Sequence, residues 1–297
     1  MRDFSRADLD GFLDLAEVME RRPPAGLLKG KILANLFFEP STRTRISFEA
    51  AMKRLGGDVL SLDAAEVTSM AKGETLSDTI RVMGAYADAI VLRHPKEGSA
   101  RMAAAISKVP IINAGDGAGQ HPTQTLLDLY TLRRESRLHG LRVGLVGDLR
   151  YARTVHSLAY ALALYRARLT LISPEPLRMP REVLRDVRAA GARVEEATSL
   201  QRVLSRLDAL YVTRIQKERF PDPEEHRKVA GSYRLTPETL RGAPKRLIVL
   251  HPLPRVDEVD PALDDSPHAR YFHQAAYGVP VRMAVLARVM GADAGRR

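Results

Sequence analysis

Lys31-Ile32-Leu33-Ala34-Asn35-Leu36-Phe37 leads directly into Phe38-Glu39-Pro40-Ser41-Thr42-Arg43-Thr44-Arg45, so an apolar run ends on hydroxyls and guanidinium groups just where a helix begins. The apolar run reads as a buried strand. Phe48, Ala51, Met52 and Leu55 then recur at i, i+3, i+4 and i+7, so the segment is strand, turn, helix. Ser41 or Thr42 is placed to cap that helix. Its first N–H groups and the positive end of its dipole would face an anion, and the fork of Arg43 could close on the same charge. A Walker-type loop needs several glycines, then Lys and Ser or Thr, and that pattern is absent. On these residues alone a capped helix carrying a surface arginine remains the plainer alternative.

Working outward, β-rich runs alternate with helical patterns. Strands are expected at 31–37, 58–62, 89–92, 110–113, 142–146, 169–173, 208–212 and 246–250. Helices are expected at 46–55, 75–86, 123–134, 155–164, 181–190 and 200–207. Such alternation predicts an α/β fold with parallel sheets covered by helices. The polar stretch from Arg133 to Gly140 separates two sets of four strands. It predicts two doubly wound domains, 1–134 and 135–279, with a last helix at about 280–297.

The composition agrees. A chain of 297 residues suits two moderate domains, and 45% hydrophobic with 28% charged residues is near the average for globular proteins. No apolar run approaches the roughly 18 residues that span a bilayer, so no membrane partner is expected. The N-terminus from Phe4 to Leu13 reads as an acidic amphipathic helix rather than a targeting peptide, which predicts a cytoplasmic protein. There is no cysteine, which excludes disulfides, thiolate zinc sites and cysteine nucleophiles. The net charge of +10 raises nucleic acid as a partner. Aromatic residues are only 5%, tryptophan is absent, and no nucleic-acid-binding module is recognisable, so that partner is not expected. The basic stripe Arg181, Arg185 and Arg188 is interleaved with Glu182 and Asp186 and reads as a solvated helix face. A small anionic substrate accounts for the charge more economically.

In α/β sheets ligands collect at the carboxyl ends of strands, and the remaining polar signals fall there. Arg93-His94-Pro95 follows the third strand, and Asn113 to Gln124 follows the fourth as a glycine loop running into a helix that starts at Pro122. His121 is expected at that helix start, where the dipole favours the neutral imidazole and a hydrogen bond to a developing oxyanion, although a packing role is equally open. The glycine loop has Gln120 at the position where a dinucleotide fingerprint requires Gly or Ala, so no nicotinamide or flavin cofactor is expected. Arg153 opens the helix after Val146-Gly147-Asp148-Leu149, and Arg214 and Gln216 leave one side of an extended segment. Surface ion pairing is the alternative for each of these cations. Leu250-His251-Pro252-Leu253-Pro254-Arg255 ends a strand on two prolines and leaves carbonyls able to accept from an amide.

Ser41-Thr42-Arg43-Thr44-Arg45, His121-Pro122-Thr123-Gln124 and His251-Pro252-Leu253-Pro254-Arg255, in this order, resemble the catalytic chains of the aspartate carbamoyltransferase family. The likeness extends to Lys72-Gly73-Glu74-Thr75 and to the stretch from Thr213 to Arg219. Ornithine-specific relatives typically carry His-Cys-Leu-Pro in place of His251 to Pro254, which this cysteine-free chain lacks. The resemblance implies transfer of the carbamoyl group of carbamoyl phosphate to the α-amino group of L-aspartate, without metal or cofactor. It implies that 1–134 with the C-terminal helix binds carbamoyl phosphate and that 135–279 binds aspartate. By position, Ser41, Thr42, Arg43 and Thr44 would hold the phosphate. Thr44, Arg93 and His121 would contact the carbamoyl side, and Gln124 with the carbonyls of Pro252 and Leu253 would take the carbamoyl amide. Arg153, Arg214 and Gln216 would hold the aspartate carboxylates, with Ser69 and Lys72 reaching in from a neighbouring chain of a homotrimer. Regulatory chains joining two trimers are a further partner that the resemblance allows. Ala152 and Tyr277 stand where Gly and Asn are commoner, and the loop from Ser69 to Lys72 is one residue shorter than in some members.

Overall fold

The structure, a computed structural model, describes residues 1, 3–63, 72–117, 119–215, 224, 227, 229 and 231–292. It divides into two compact units. The first comprises Ala7–Leu127 with Tyr277–Arg297, the second Met1–Arg6 with Asp128–Ala276.

The first unit contains α1 (Arg6–Arg21), β1 (Ile32–Phe37), α2 (Thr42–Arg54), β2 (Asp58–Asp63), α3 (Leu76–Tyr86), β3 (Ala89–His94), α4 (Ser99–Ile106) and β4 (Ile111–Asp116). Its four parallel strands lie in the order β2-β1-β3-β4. The continuous apolar run of β1 follows from burial on both faces. Ala34 and Leu36 pack with Ile90, Leu92, Ile80 and Ala103, while Leu33, Asn35 and Phe37 alternate to the other face and are buried as well.

α5 (Pro122–Glu135) contains the unit boundary. The second unit continues with β5 (Arg142–Val146), α6 (Arg153–Leu164), β6 (Arg168–Ile172), α7 (Arg181–Ala189), β7 (Arg193–Ala197), β8 (Ala209–Val212) and β9 (Ile248–Leu250), and α8 (Tyr271–Val289) runs across the second boundary. Its sheet is parallel in the order β7-β6-β5-β8-β9. Val146, Ile172, Leu210, Val212 and Val249 form one face of its core. Both units are therefore doubly wound α/β sheets, as the alternation predicted.

Several elements depart from the sequence reading. The second sheet has five strands rather than four, because β7 is a polar edge strand, Arg193-Val194-Glu195-Glu196-Ala197, with no apolar alternation to reveal it. The helix expected at 200–207 is a turn followed by a short 3-10 segment, Leu204–Arg206. Leu200, Val203, Leu204 and Leu207 are all buried, so their spacing marks the core-facing side of this turn rather than an α-helix. α4 was not read, being short and opened by Gly98 at φ +80°. The last helix begins at Tyr271 and not after Pro280; Pro280 lies inside it, and the missing N–H would have bonded to Ala276, next to the unit boundary.

Candidate active site

In the first unit the candidate residues follow three adjacent strands, β1, β3 and β4. β1 ends at Phe37, and after four intervening residues Thr42 starts α2 with Ser41 at the N-cap position. Ser41 does not cap through its side chain, which corrects the sequence reading: its backbone is extended at φ −161° and its hydroxyl makes no cap hydrogen bond. The first turn of α2 holds no acidic residue, so nothing there competes with an incoming anion. Thr44 is buried, while Ser41 is half-buried and Thr42 and Arg43 are exposed. Desolvation nevertheless lowers the pKa of the Arg43 guanidinium, a sign of partial enclosure of its charge. Arg45 points elsewhere, donating to Glu49 at 2.9 Å.

Register places Arg93 beside this loop. Phe37 pairs with Arg93 across β1 and β3, and Phe38 N donates to Arg93 O at 2.9 Å. The guanidinium is steadied by Glu39, with Nε 3.4 Å from Oε2, and donates from Nη1 to Ala114 O at 3.3 Å. β4 then runs into a loop organised by Asp116. Its Oδ1 accepts from Asn113 Nδ2 at 3.1 Å and Gln120 N at 2.9 Å, and its Oδ2 accepts from Gly98 N at 3.0 Å. Gly117 (φ +52°) donates to His94 O, and a Cβ there would lie 2.6 Å from Pro95 O, so only glycine fits the turn. The loop delivers His121 to the start of α5, where its carbonyl accepts from Gln124 N at 3.0 Å and Pro122 takes the first helical position. His121 and Gln124 are both buried. Strand order thus gathers Ser41 to Thr44, Arg93, His121 and Gln124 at one edge of the first sheet. Lys72 is exposed and sits before α3, and no ion pair ties it to an acid among the described residues. Ser69 lies outside the described residues.

In the second unit the adjacent strands β5, β8 and β9 deliver the rest. Gly147 (φ +110°) follows β5, and a Cβ there would meet Thr213 O at 2.2 Å, so the β5 and β8 exits lie against each other. Asp148 Oδ1 accepts from Arg150 N at 3.1 Å and Tyr151 N at 2.8 Å, which shapes the turn that makes Arg153 the buried first residue of α6. Thr213 donates its hydroxyl to Val146 O at 3.2 Å, fixing the exit from which half-buried Arg214 projects. Gln216 lies outside the described residues.

β9 ends in the His251 loop. His251 Nδ1 accepts from Leu253 N at 2.8 Å, so Nε2 carries the proton and donates to Glu258 Oε1 at 2.6 Å. Glu258 is buried, which pushes its pKa up, but the His251 hydrogen bond and the backbone N–H groups of Glu258 and Val256 outweigh burial and hold it below its ordinary value. Leu253 adopts φ +51° before a cis Leu253–Pro254 bond. The carbonyls of Pro252 and Leu253 accept no hydrogen bond among the described residues. Sequence reasoning missed the support beneath. His251 N donates to Gln274 Oε1 at 2.8 Å, Gln274 Nε2 donates to Asp128 Oδ1 at 2.7 Å, and Tyr211 OH donates to Asp128 Oδ2 at 2.9 Å. Burial first, and then Asp128, raises the Tyr211 pKa well above its ordinary value, so it stays a donor. No local motif signals this set.

Chemically, one unit offers a helix N-terminus, two arginines and a histidine suited to phosphate and an oxyanion. The other offers two arginines and the two backbone carbonyls of Pro252 and Leu253. Among the described residues no group of three or more His, Cys, Asp or Glu side chains is arranged to hold a metal ion, and no helix is long and apolar enough to cross a membrane.

The chain matches the family model for the aspartate/ornithine carbamoyltransferase carbamoyl-P binding domain over residues 1–134, and that for the Asp/Orn binding domain over residues 139–289. It is 60% identical to an aspartate carbamoyltransferase catalytic subunit from Methanocella arvoryzae over 296 residues, which is 98% of this chain and 96% of the relative. The corresponding subunit from Archaeoglobus fulgidus is 60% identical over 293 residues, with 97% of each covered. Among solved structures, the catalytic subunit of M. jannaschii aspartate transcarbamoylase superposes with a TM-score of 0.91 at 53% identity, covering 100% of this chain and 98% of that one. Aspartate transcarbamoylase from Trypanosoma cruzi, in complex with N-(phosphonacetyl)-L-aspartic acid, gives 0.92 at 40% identity over 97% and 94%.

Proposed function

The chain belongs to the aspartate/ornithine carbamoyltransferase family, and from that premise we propose how its residues divide the work. It transfers the carbamoyl group of carbamoyl phosphate to the α-amino group of L-aspartate, giving N-carbamoyl-L-aspartate and phosphate in pyrimidine synthesis. Residues 1–134 with the C-terminal helix bind carbamoyl phosphate, and 135–279 bind aspartate. Ser41, Thr42, Arg43 and Thr44 hold the phosphate at the acid-free start of α2. Thr44, Arg93 and His121 donate to the carbamoyl oxygen. Gln124 and the carbonyls of Pro252 and Leu253 take the carbamoyl amide, and Arg153, Arg214 and Gln216 take the two carboxylates.

The neutral amine attacks the carbamoyl carbon, the negative charge gathers on its oxygen, and the bond to the phosphate oxygen breaks. The departing phosphate accepts the amine proton, so no side chain need act as general base. Rate enhancement comes from orientation and from fixed donors around the oxyanion and the leaving group. The observation that carries this reading is the pair of carbonyls at Pro252 and Leu253, which accept no hydrogen bond among the described residues, because a bare phosphate binder has no use for amide acceptors.

The working assembly is a homotrimer in which Ser69 and Lys72 complete a neighbour's site, with regulatory chains joining trimers in a larger assembly, in the cytoplasm. An exposed Lys72 with no acidic partner among the described residues supports donation to another chain. The test is turnover of carbamoyl phosphate with L-aspartate and with L-ornithine, alongside the mass in solution. Arg153 and Arg214 favour a dicarboxylate and repel the ornithine side chain, so turnover should be confined to aspartate. Comparable rates with both amines would reject the assignment.

A further inference from the structure

The sheet of the second unit has a second basic feature, at the end opposite the one that carries Arg153, Arg214 and the His251 loop. Arg142, Arg168 and Arg193 each start a strand, on β5, β6 and β7, and pair in register as Arg142 with Arg168 and Arg168 with Arg193. Partners in register share a face, so three guanidinium stems leave the same side of three neighbouring strands. Thr170 and Glu195 follow two residues on, on that face, and Arg206 of the 3-10 segment comes over it. Together with Leu169, Val194 and Leu207 they line a pocket of about 340 Å³, the lower end of the size range of small-molecule sites. Four of its lining residues are arginines and one is acidic.

Internal pairing leaves two of these charges over. Arg142 is consumed by Asp208, donating from Nε at 2.9 Å and Nη2 at 2.7 Å. Asp208 is already shared with Arg137 at 3.0 Å and Arg246 at 2.9 Å, so it has nothing to offer the neighbouring strands. Arg206 takes Glu195 at 3.0 Å. Arg168 and Arg193 have no acidic partner among the described residues. Like charges side by side on neighbouring strands oppose pairing. Protection of a sheet edge explains Arg193 alone, since β7 is the edge strand, but β6 and β5 are interior.

We propose that this pocket is a second anion site, separate from the reaction centre, that takes an oligophosphate chain through the forks of Arg168 and Arg193 with Arg142 and Arg206 beside them. Planar guanidinium groups on adjacent strands suit successive phosphates of one chain, each able to accept two parallel hydrogen bonds. Thr170 adds a hydroxyl donor at the pocket wall.

The test is calorimetric titration of the full chain with inorganic tripolyphosphate, at low ionic strength and with the reaction centre saturated by N-(phosphonacetyl)-L-aspartate. One site per chain is expected, weakening with added salt. The Arg168→Ala/Arg193→Ala protein should bind at least about tenfold more weakly and turn over its substrates at the wild-type rate. The Arg168→Lys/Arg193→Lys protein, which keeps charge but loses the forks, should fall between the two. Absence of binding to wild type, or equal affinity in the double alanine protein, would overturn the proposal. So would binding of a short oligonucleotide at this site with none of tripolyphosphate, since that assigns the patch to a nucleic-acid backbone.

Discussion

Gln274 bridges two buried groups that the sequence keeps far apart: its Nε2 donates to Asp128 Oδ1 at 2.7 Å, while its Oε1 accepts from His251 N at 2.8 Å. Through this one side chain the loop carrying Pro252 and Leu253 is pinned to the C-terminal part of α5. His251 adds a second pin, accepting from Leu253 N and donating to Glu258. The carbonyls proposed to receive the carbamoyl amide are therefore aimed both by the buried Gln274 bridge and by the side chain of His251 within the loop.

Replacing Gln274 by leucine should loosen this arrangement. Gln274 is 1% exposed and Asp128 is fully buried. The substitution strands a buried carboxylate oxygen and a buried N–H together, a loss of roughly 2–4 kcal/mol. Urea unfolding should show that loss with an unchanged denaturant slope. Turnover by the folded fraction should fall as well, because the carbonyls lose their fixed aim. Full activity at reduced stability would mean that the bridge holds the fold and does not aim the loop.

Much of the candidate site was legible because its residues sit in short continuous motifs. Ser41 to Thr44 and His251 to Leu253 announce themselves by composition at strand ends, and Arg93 by following a β-rich run. The hydroxyl of Ser41 was misread as a cap, since sequence gives the position but not the rotamer. The Asp128, Gln274 and Tyr211 set was illegible for a different reason: its members lie on a helix, another helix and a strand, up to 146 residues apart, and each alone looks like an ordinary core or surface residue. β7 escaped because an edge strand has no apolar alternation to display. Pro280 misled by marking a helix start where the chain tolerates it inside α8.

Acid should act on the second unit through Asp208. This carboxylate is almost fully buried, which raises its pKa, but hydrogen bonds from Arg142 and Arg246 more than reverse the effect and hold it far below the ordinary carboxylate range. A depressed folded pKa contributes stability that is complete above the unfolded value of about 3.9 and is lost as pH falls from there towards the folded value. Asp208→Asn cannot titrate. The variant should be less stable than wild type at pH 7, and the gap between the two urea midpoints should close as pH drops below about 4. A gap that stays constant down to the acid limit would show that Asp208 is not the titrating group.

Arg43→Ala tests the phosphate loop. The substitution removes a partly desolvated fork that we propose donates to the leaving phosphate, while α2 itself keeps its backbone and its buried face of Phe48, Ala51 and Met52. The rate should drop by at least about a hundredfold with the fold intact by circular dichroism. Activity within a few fold of wild type would remove Arg43 from the phosphate site.

Sharing of the site between chains has the most demanding test, because it asks for activity from two inactive proteins. Lys72 is exposed just before α3 and has no acidic partner among the described residues, and Arg43 stands in the first turn of α2, on the strand-end edge of the sheet. A lysine that served its own chain would gain by being tied in place; one that serves a neighbour must reach outward. Lys72→Ala and Arg43→Ala chains should each be nearly inactive alone. Mixed and reassembled, some interfaces combine an intact Arg43 side with an intact Lys72 side, and a measurable part of the wild-type rate should return. Hybrids verified by mass that show only the sum of the two residual activities would place Lys72 in its own chain's chemistry or outside the reaction.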